Sequence, residues 1–132
     1  DVVRCNAAIS ACEKGGRWRH ALALFSSMPE LQILPTLVSF NAAIRAAEGG
    51  GRWQLALSLF NCVRGARLAP DSVNYNAVLD AVVDRPVAGA LFQEALEGRV
   101  FPMLDADRGE LDLQGLSLGA AALAMQWWVS FV

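Results

Sequence analysis

Val3-Arg4-Cys5-Asn6-Ala7-Ala8-Ile9 returns 35 residues later as Val38-Ser39-Phe40-Asn41-Ala42-Ala43-Ile44, and a weaker third copy stands at Val73-Asn74-Tyr75-Asn76-Ala77-Val78-Leu79. The likeness extends past these heptapeptides. Aligning residues 1–35 with 36–70 gives 16 identities, among them Gly15-Gly16-Arg17-Trp18 against Gly50-Gly51-Arg52-Trp53. Self-similarity at a fixed period of this size marks a solenoid. The expected fold is therefore all-α, a stack of three helical hairpins at 1–35, 36–70 and 71–102.

Each unit reads as two helices. In the first, Val3, Ala7, Ile9, Ala11 and Cys12 give a helix with a small, apolar face, which Gly15-Gly16 ends. Trp18, Ala21, Leu22, Leu24, Phe25 and Met28 then keep the 3.6-residue period of a second helix, and Pro29 and Pro35 bracket the exit. The second unit repeats the plan through Phe40, Ile44, Trp53, Ala56, Leu57, Leu59 and Phe60, with Gly65 and Pro70 closing it. The third keeps Val73, Asn76, Ala81, Ala88, Leu91 and Phe92 but is shorter between its helices. There Asp84-Arg85-Pro86 replaces the glycine-tryptophan hinge, with Asp84 placed to cap the second helix. One such hairpin is below the ~40 residues at which a chain usually needs help to fold alone. Neighbours are required to bury its faces.

After Pro102 the character changes. Residues 103–110 read as a polar linker, and 111–132 as a short, incomplete strand-helix segment. Leu111-Asp112-Leu113 alternates as a strand does, and Ser117 caps a helix from about Leu118 to Ser130 whose buried stripe is Leu123, Trp127 and Phe131. The apolar tail 118–132 is shorter than the ~20 residues of a membrane span. A formal charge of −2 gives no field that announces nucleic acid or an anionic membrane. Arg17, Arg19, His20 and Arg52 still form a local basic group able to meet phosphates. Cys5, Cys12 and Cys62 are odd in number and lack C-x-x-C spacing, so they read as buried, reduced thiols. Asp105, Asp107 and Glu110 lack the rest of a calcium loop, and His20 lacks triad partners. No catalytic residue, metal or cofactor is expected. The chain opens on Asp1 and reads as a segment of something longer.

The 35-residue period, the Val-x-Tyr/Phe-Asn opening, the Ala-Leu-x-Leu-Phe second helix and the closing proline resemble pentatricopeptide repeats over residues 1–102. Asn-Ala-Ala-Ile, Glu-Lys-Gly-Gly and the tryptophan make the resemblance closest to proteins of algal organelles. That family binds single-stranded RNA in chloroplasts and mitochondria, about one base per helical repeat, in processing, stabilisation, editing or translation. The resemblance implies that two positions per unit read the base: Asn6 with Thr36, Asn41 with Asp71, and Asn76 with Met103. Val3, Val38 and Val73 would sandwich successive bases. It further implies uracil for Asn41/Asp71 and a pyrimidine for Asn6/Thr36, whereas Met103 departs from the pattern because its thioether is a poor hydrogen-bonding partner. Leu111-Asp112-Leu113-Gln114-Gly115-Leu116-Ser117 resembles the start of a small MutS-related (Smr) domain, whose signature has histidine where Gln114 stands. That substitution argues against nuclease activity.

Blander readings accompany these. The recurring asparagines can serve as helix caps or hairpin ties, and Trp18 and Trp53 sit beside core positions, where packing outweighs base stacking. A tetratricopeptide-like protein-binding scaffold without RNA contact is the alternative function, and an RNA-cleaving enzyme acting through the tail is a third. The 35-residue spacing and the recurring asparagine favour RNA as the partner, with no membrane association. Protein partners are not legible.

Overall fold

Four of the seven described helices start at side chains that satisfy otherwise orphaned backbone N–H groups. The computed structural model describes residues 1–101, 113 and 115–130. Asp1 accepts from the Arg4 amide at 2.8 Å and opens α1 (Val2–Lys14). Thr36 and Ser39 exchange side-chain and backbone hydrogen bonds as a capping box at the start of α3 (Leu37–Gly49). Asp71 and Asn74 do the same for α5 (Ser72–Val82). Ser117 accepts from the Ala120 amide at 3.2 Å and opens α7 (Leu118–Val129), close to its expected bounds.

The intervening helices α2 (Trp18–Ser27), α4 (Trp53–Gly65) and α6 (Val87–Glu97) start without any side-chain cap. Asp84 is thus not the cap of α6. The helix begins after Pro86, whose fixed φ suits a first turn, and Asp84 stays exposed.

The two hinge glycines divide the work. Gly16 and Gly51 take φ of 75° and 70°, left-handed values that side chains disfavour. Gly50 is needed for a different reason: a Cβ there would lie 2.6 Å from the Trp18 ring. Trp18 lies against the next hinge, between the guanidinium groups of Arg19 and Arg52 at 5.0 and 5.2 Å from its ring centroid. Trp53 receives Arg85 at 4.8 Å in the same way. At the far end of each second helix the reversal falls on Gln32, Arg67 and Arg99, all with positive φ. The next amide then bonds back five residues, Ile33 to Met28, Leu68 to Val63 and Val100 to Ala95. Gly65 accordingly remains helical, and the turn it was expected to make is made at Arg67.

Two layers result. Helices α1, α3, α5 and α7 pack side by side in chain order, and α2, α4 and α6 form the second layer, each touching its own first helix and that of the following unit. The fold is an all-α helical-repeat solenoid. Among the described residues there is no strand: Leu113 is irregular, and Leu111 and Asp112 lie outside the described residues, as do Gln114 and the linker 103–110. Helix α7 stacks on α5 and α6 in the way that α3 and α5 stack on the units before them. Gly119 permits this, since a Cβ there would lie 2.8 Å from Asp80 Cα.

Ring pairs cross from each second helix to the next first helix, Phe25 to Phe40 at 5.1 Å, Phe60 to Tyr75 at 4.8 Å and Phe92 to Trp127 at 6.3 Å between centroids. Between the first helices the filler is small: Ala42, Ala43, Ala46 and Ala47 are buried. Their counterparts Ala7, Ala8 and Ala11 are exposed, because nothing covers the outer face of α1 in this structure. Of the three free cysteines, Cys5 and Cys12 are half-buried, and Cys62 is exposed rather than buried, lying on the solvent side of α4. No described helix is long and apolar enough to cross a membrane.

The two glycines of one hinge should respond oppositely to alanine. Gly50→Ala forces a methyl into the Trp18 ring and should cost about 1–3 kcal/mol, the range for overpacking, read as a lower urea midpoint at constant slope. Gly49→Ala meets nothing within 4 Å and should leave the midpoint unchanged or raise it, by up to about 1 kcal/mol.

Candidate nucleic-acid interface

Consecutive first helices meet at three joints, and each joint brings the asparagine of one unit to the N-terminus of the next first helix. In the first joint Asn6 Nδ2 donates to Thr36 Oγ1 at 3.3 Å. Ser39, fully buried, donates from Oγ to Asn6 Oδ1 at 2.5 Å while accepting from the Thr36 amide at 3.0 Å. The sequence-predicted pair Asn6/Thr36 is therefore in direct contact, and a third residue fixes the amide.

The second joint differs. Asn41 and Asp71 line a cleft of about 120 Å³ with Leu37, Val38, Val73 and Asn74. Asn41 Oδ1 is buried and, among the described residues, has no hydrogen-bond partner. Asn74, which occupies the place of Ser39, looks elsewhere: its Oδ1 accepts from the Asp71 amide at 3.2 Å and its Nδ2 donates to Leu37 O at 3.3 Å. Asp71 Oδ1 is in turn held by the Asn74 amide at 3.0 Å.

In the third joint the asparagine is spent. Asn76 is buried, donating from Nδ2 to Gly115 O at 3.0 Å and accepting at Oδ1 from the Ser117 amide at 3.0 Å. A backbone C=O and N–H flanking Leu116 thus fill the same donor and acceptor that an unpaired base edge would use. Asp80 adds a further tie, accepting from the Gly119 amide at 2.7 Å and from Arg45 at 3.1 Å. Met103, the residue paired with Asn76 by sequence, lies outside the described residues. The cap that meets Asn76 is Ser117, displaced from the proline-based register because α7 begins only after the intervening segment.

Val3, Val38 and Val73 share one position per unit and are 72%, 61% and 49% exposed, so they are not core residues of their helices. Arg19, Arg52 and Arg85 lie over tryptophan rings at the hinge end, which leaves Trp18 and Trp53 in packing roles. Ser39 and Asn74 escaped the sequence reading. The signal was present as Thr36-x-x-Ser39 and Asp71-x-x-Asn74, a polar residue three past each cap.

Residues 1–49 match the family model of the pentatricopeptide repeat domain. The match supports a pentatricopeptide-repeat protein. It spans α1, α2 and α3 and so contains the whole of the first joint, Asn6, Thr36 and Ser39 included. No curated protein matches the chain. In pentatricopeptide terms the structure brings together Asn6 with Thr36 and Asn41 with Asp71, places Val38 and Val73 on the rim of the second pair, and engages Asn76 with the start of α7.

Asn76→Ala should release the tail helix. Gly115 and Ser117 each lose a hydrogen bond to the Asn76 amide, worth about 0.5–1.5 kcal/mol apiece. Hydrogen exchange should accelerate at the amides of α7 and stay unchanged in α1–α4.

Proposed function

We propose that this chain binds single-stranded RNA along its first-helix layer, with unpaired bases entering between successive exposed valines and meeting an asparagine amide at each open joint. The observation that carries this reading is the second joint: Val38 and Val73 flank a cleft that holds Asn41 and Asp71, and the asparagine oxygen there lacks a donor. A buried carbonyl without a partner is costly, and rotation of the Asn41 amide toward the cleft would let a base edge supply what it lacks. Large exposed apolar side chains at one recurring position fit a surface on which base faces rest, which is a sequence-tolerant source of affinity.

By resemblance, Asn41/Asp71 takes uracil and Asn6/Thr36 a pyrimidine. Asn76 with Met103 is not assigned a base, because Asn76 is buried beneath residues 115 and 117 and bonded to both, whereas Asn6, although held, is only partly buried. Two open joints give weak binding, and the role we assign is that of a binder in organellar RNA processing, stabilisation or translation rather than a nuclease. The chloroplast or mitochondrial setting, the algal type and the Smr-like tail rest on the sequence resemblance, with Gln114 in place of the histidine as the argument against cleavage.

A fluorescence titration of the full chain with U-rich and A-rich octamers tests the reading. U-rich RNA should bind more tightly, affinity should fall steeply with added salt as phosphate-bound counterions are released, and Asn41→Ala should weaken the U-rich complex about tenfold, within the range of one base contact. Equal affinity for both octamers together with an unaffected Asn41→Ala variant would overturn it in favour of a scaffold that binds protein.

A further inference from the structure

We propose that Ser39 and Asn74, the residues three past each cap, decide which atoms of the preceding asparagine are left for a base, and so act as specificity-determining positions. The inference rests on the RNA-binding reading above and refines it to the level of single atoms. In the first joint, Ser39 has one hydroxyl proton and gives it to Asn6 Oδ1, since its own oxygen already accepts from the Thr36 amide. The Asn6 oxygen is thereby occupied and its amide nitrogen is turned to Thr36. One lone pair of the oxygen and one N–H remain, and because Ser39 and Thr36 both hold the amide, we assign this joint the role of presenting its second N–H to an acceptor atom of the base.

In the second joint the equivalent side chain is turned elsewhere and makes no hydrogen bond to Asn41 among the described residues. Asn74 spends its nitrogen on Leu37 O and its oxygen on the Asp71 amide. Asn41 therefore keeps an unclaimed oxygen beside the cleft. The oxygen is buried in the cleft wall as it stands; turned toward the cleft by rotation of the amide it is an acceptor, and the atom that satisfies it is a ring N–H. Uracil offers one at N3; cytosine, which is not protonated there, does not. The two joints thus differ in polarity although both carry asparagine, and the difference lies in serine against asparagine three residues past the cap.

The probe is a uridine octamer and the same octamer built from N3-methyluridine, which keeps both carbonyls and loses only the ring N–H. The full chain should prefer uridine by about tenfold, the scale of one unmet buried hydrogen bond. Asn74→Ser supplies at the second joint the hydroxyl that Ser39 supplies at the first, keeps a capping oxygen for the Asp71 amide, and should reduce that preference to about threefold or less as the Asn41 oxygen is claimed. Ser39→Asn frees the Asn6 oxygen and should widen the preference instead. A purely structural role would weaken both octamers together and leave their ratio alone. Should Asn74→Ser lose its helical circular dichroism, the Ser39→Asn ratio decides. A wild-type chain that binds neither octamer removes the RNA reading and this inference with it. Wild-type binding without discrimination, or variants that keep the wild-type ratio, overturns the inference and leaves RNA binding standing.

Discussion

Everything in this molecule depends on how one first helix is seated on the next. The contact is lined by alanine, which lets backbones approach closely, and it carries a few buried polar side chains whose hydrogen bonds must be met inside it. Ser39, Asn74 and Asn76 are those side chains, and each finds its partner across or at the end of the contact. Apolar faces alone tolerate sliding. A polar pair that is satisfied in only one register does not, so the ties fix how each hairpin sits on its neighbour.

The same groups define the surface offered to a ligand. A helix N-terminus needs an oxygen to cap it, and here the capping oxygens of Thr36, Asp71 and Ser117 arrive beside the asparagine of the unit before. Cap and asparagine are therefore neighbours by construction. What differs is what is left over: a held amide at Asn6, an unclaimed oxygen at Asn41, a fully bonded amide at Asn76. The last of these is the work of α7, which Gly119 brings against Asp80 so closely that the preceding turn reaches Asn76.

Much of this was legible in the chain. The 35-residue repeat gave the hairpin count, because identical local sequences meet identical neighbours and must fold alike. The glycine hinges, the tryptophan packing and the start of α7 at Ser117 followed from rules that act within a few residues. The errors were of another kind. Asp84 had the chemistry of a cap, but Pro86 set the helix start beyond it. Gly65 had the freedom to turn the chain, yet the turn fell at Arg67, where the six-residue backbone bond and the burial of Val63 place it. Cys62 was read as buried from residue type alone, and it is exposed on the solvent side of α4.

The sequence by itself determined the period, the two-helix unit and which residue types recur at the joints. All of these are set by short-range periodicity, by capping and by glycine. Only the tertiary structure decided which asparagine is free. That depends on whether a serine hydroxyl, a turned-away amide or a backbone segment 39 residues downstream comes within 3 Å of it, and no local rule encodes such a distance. It also made α7 a fourth member of the stack, because its apolar face could be buried on α5 and α6 once Gly119 allowed the approach.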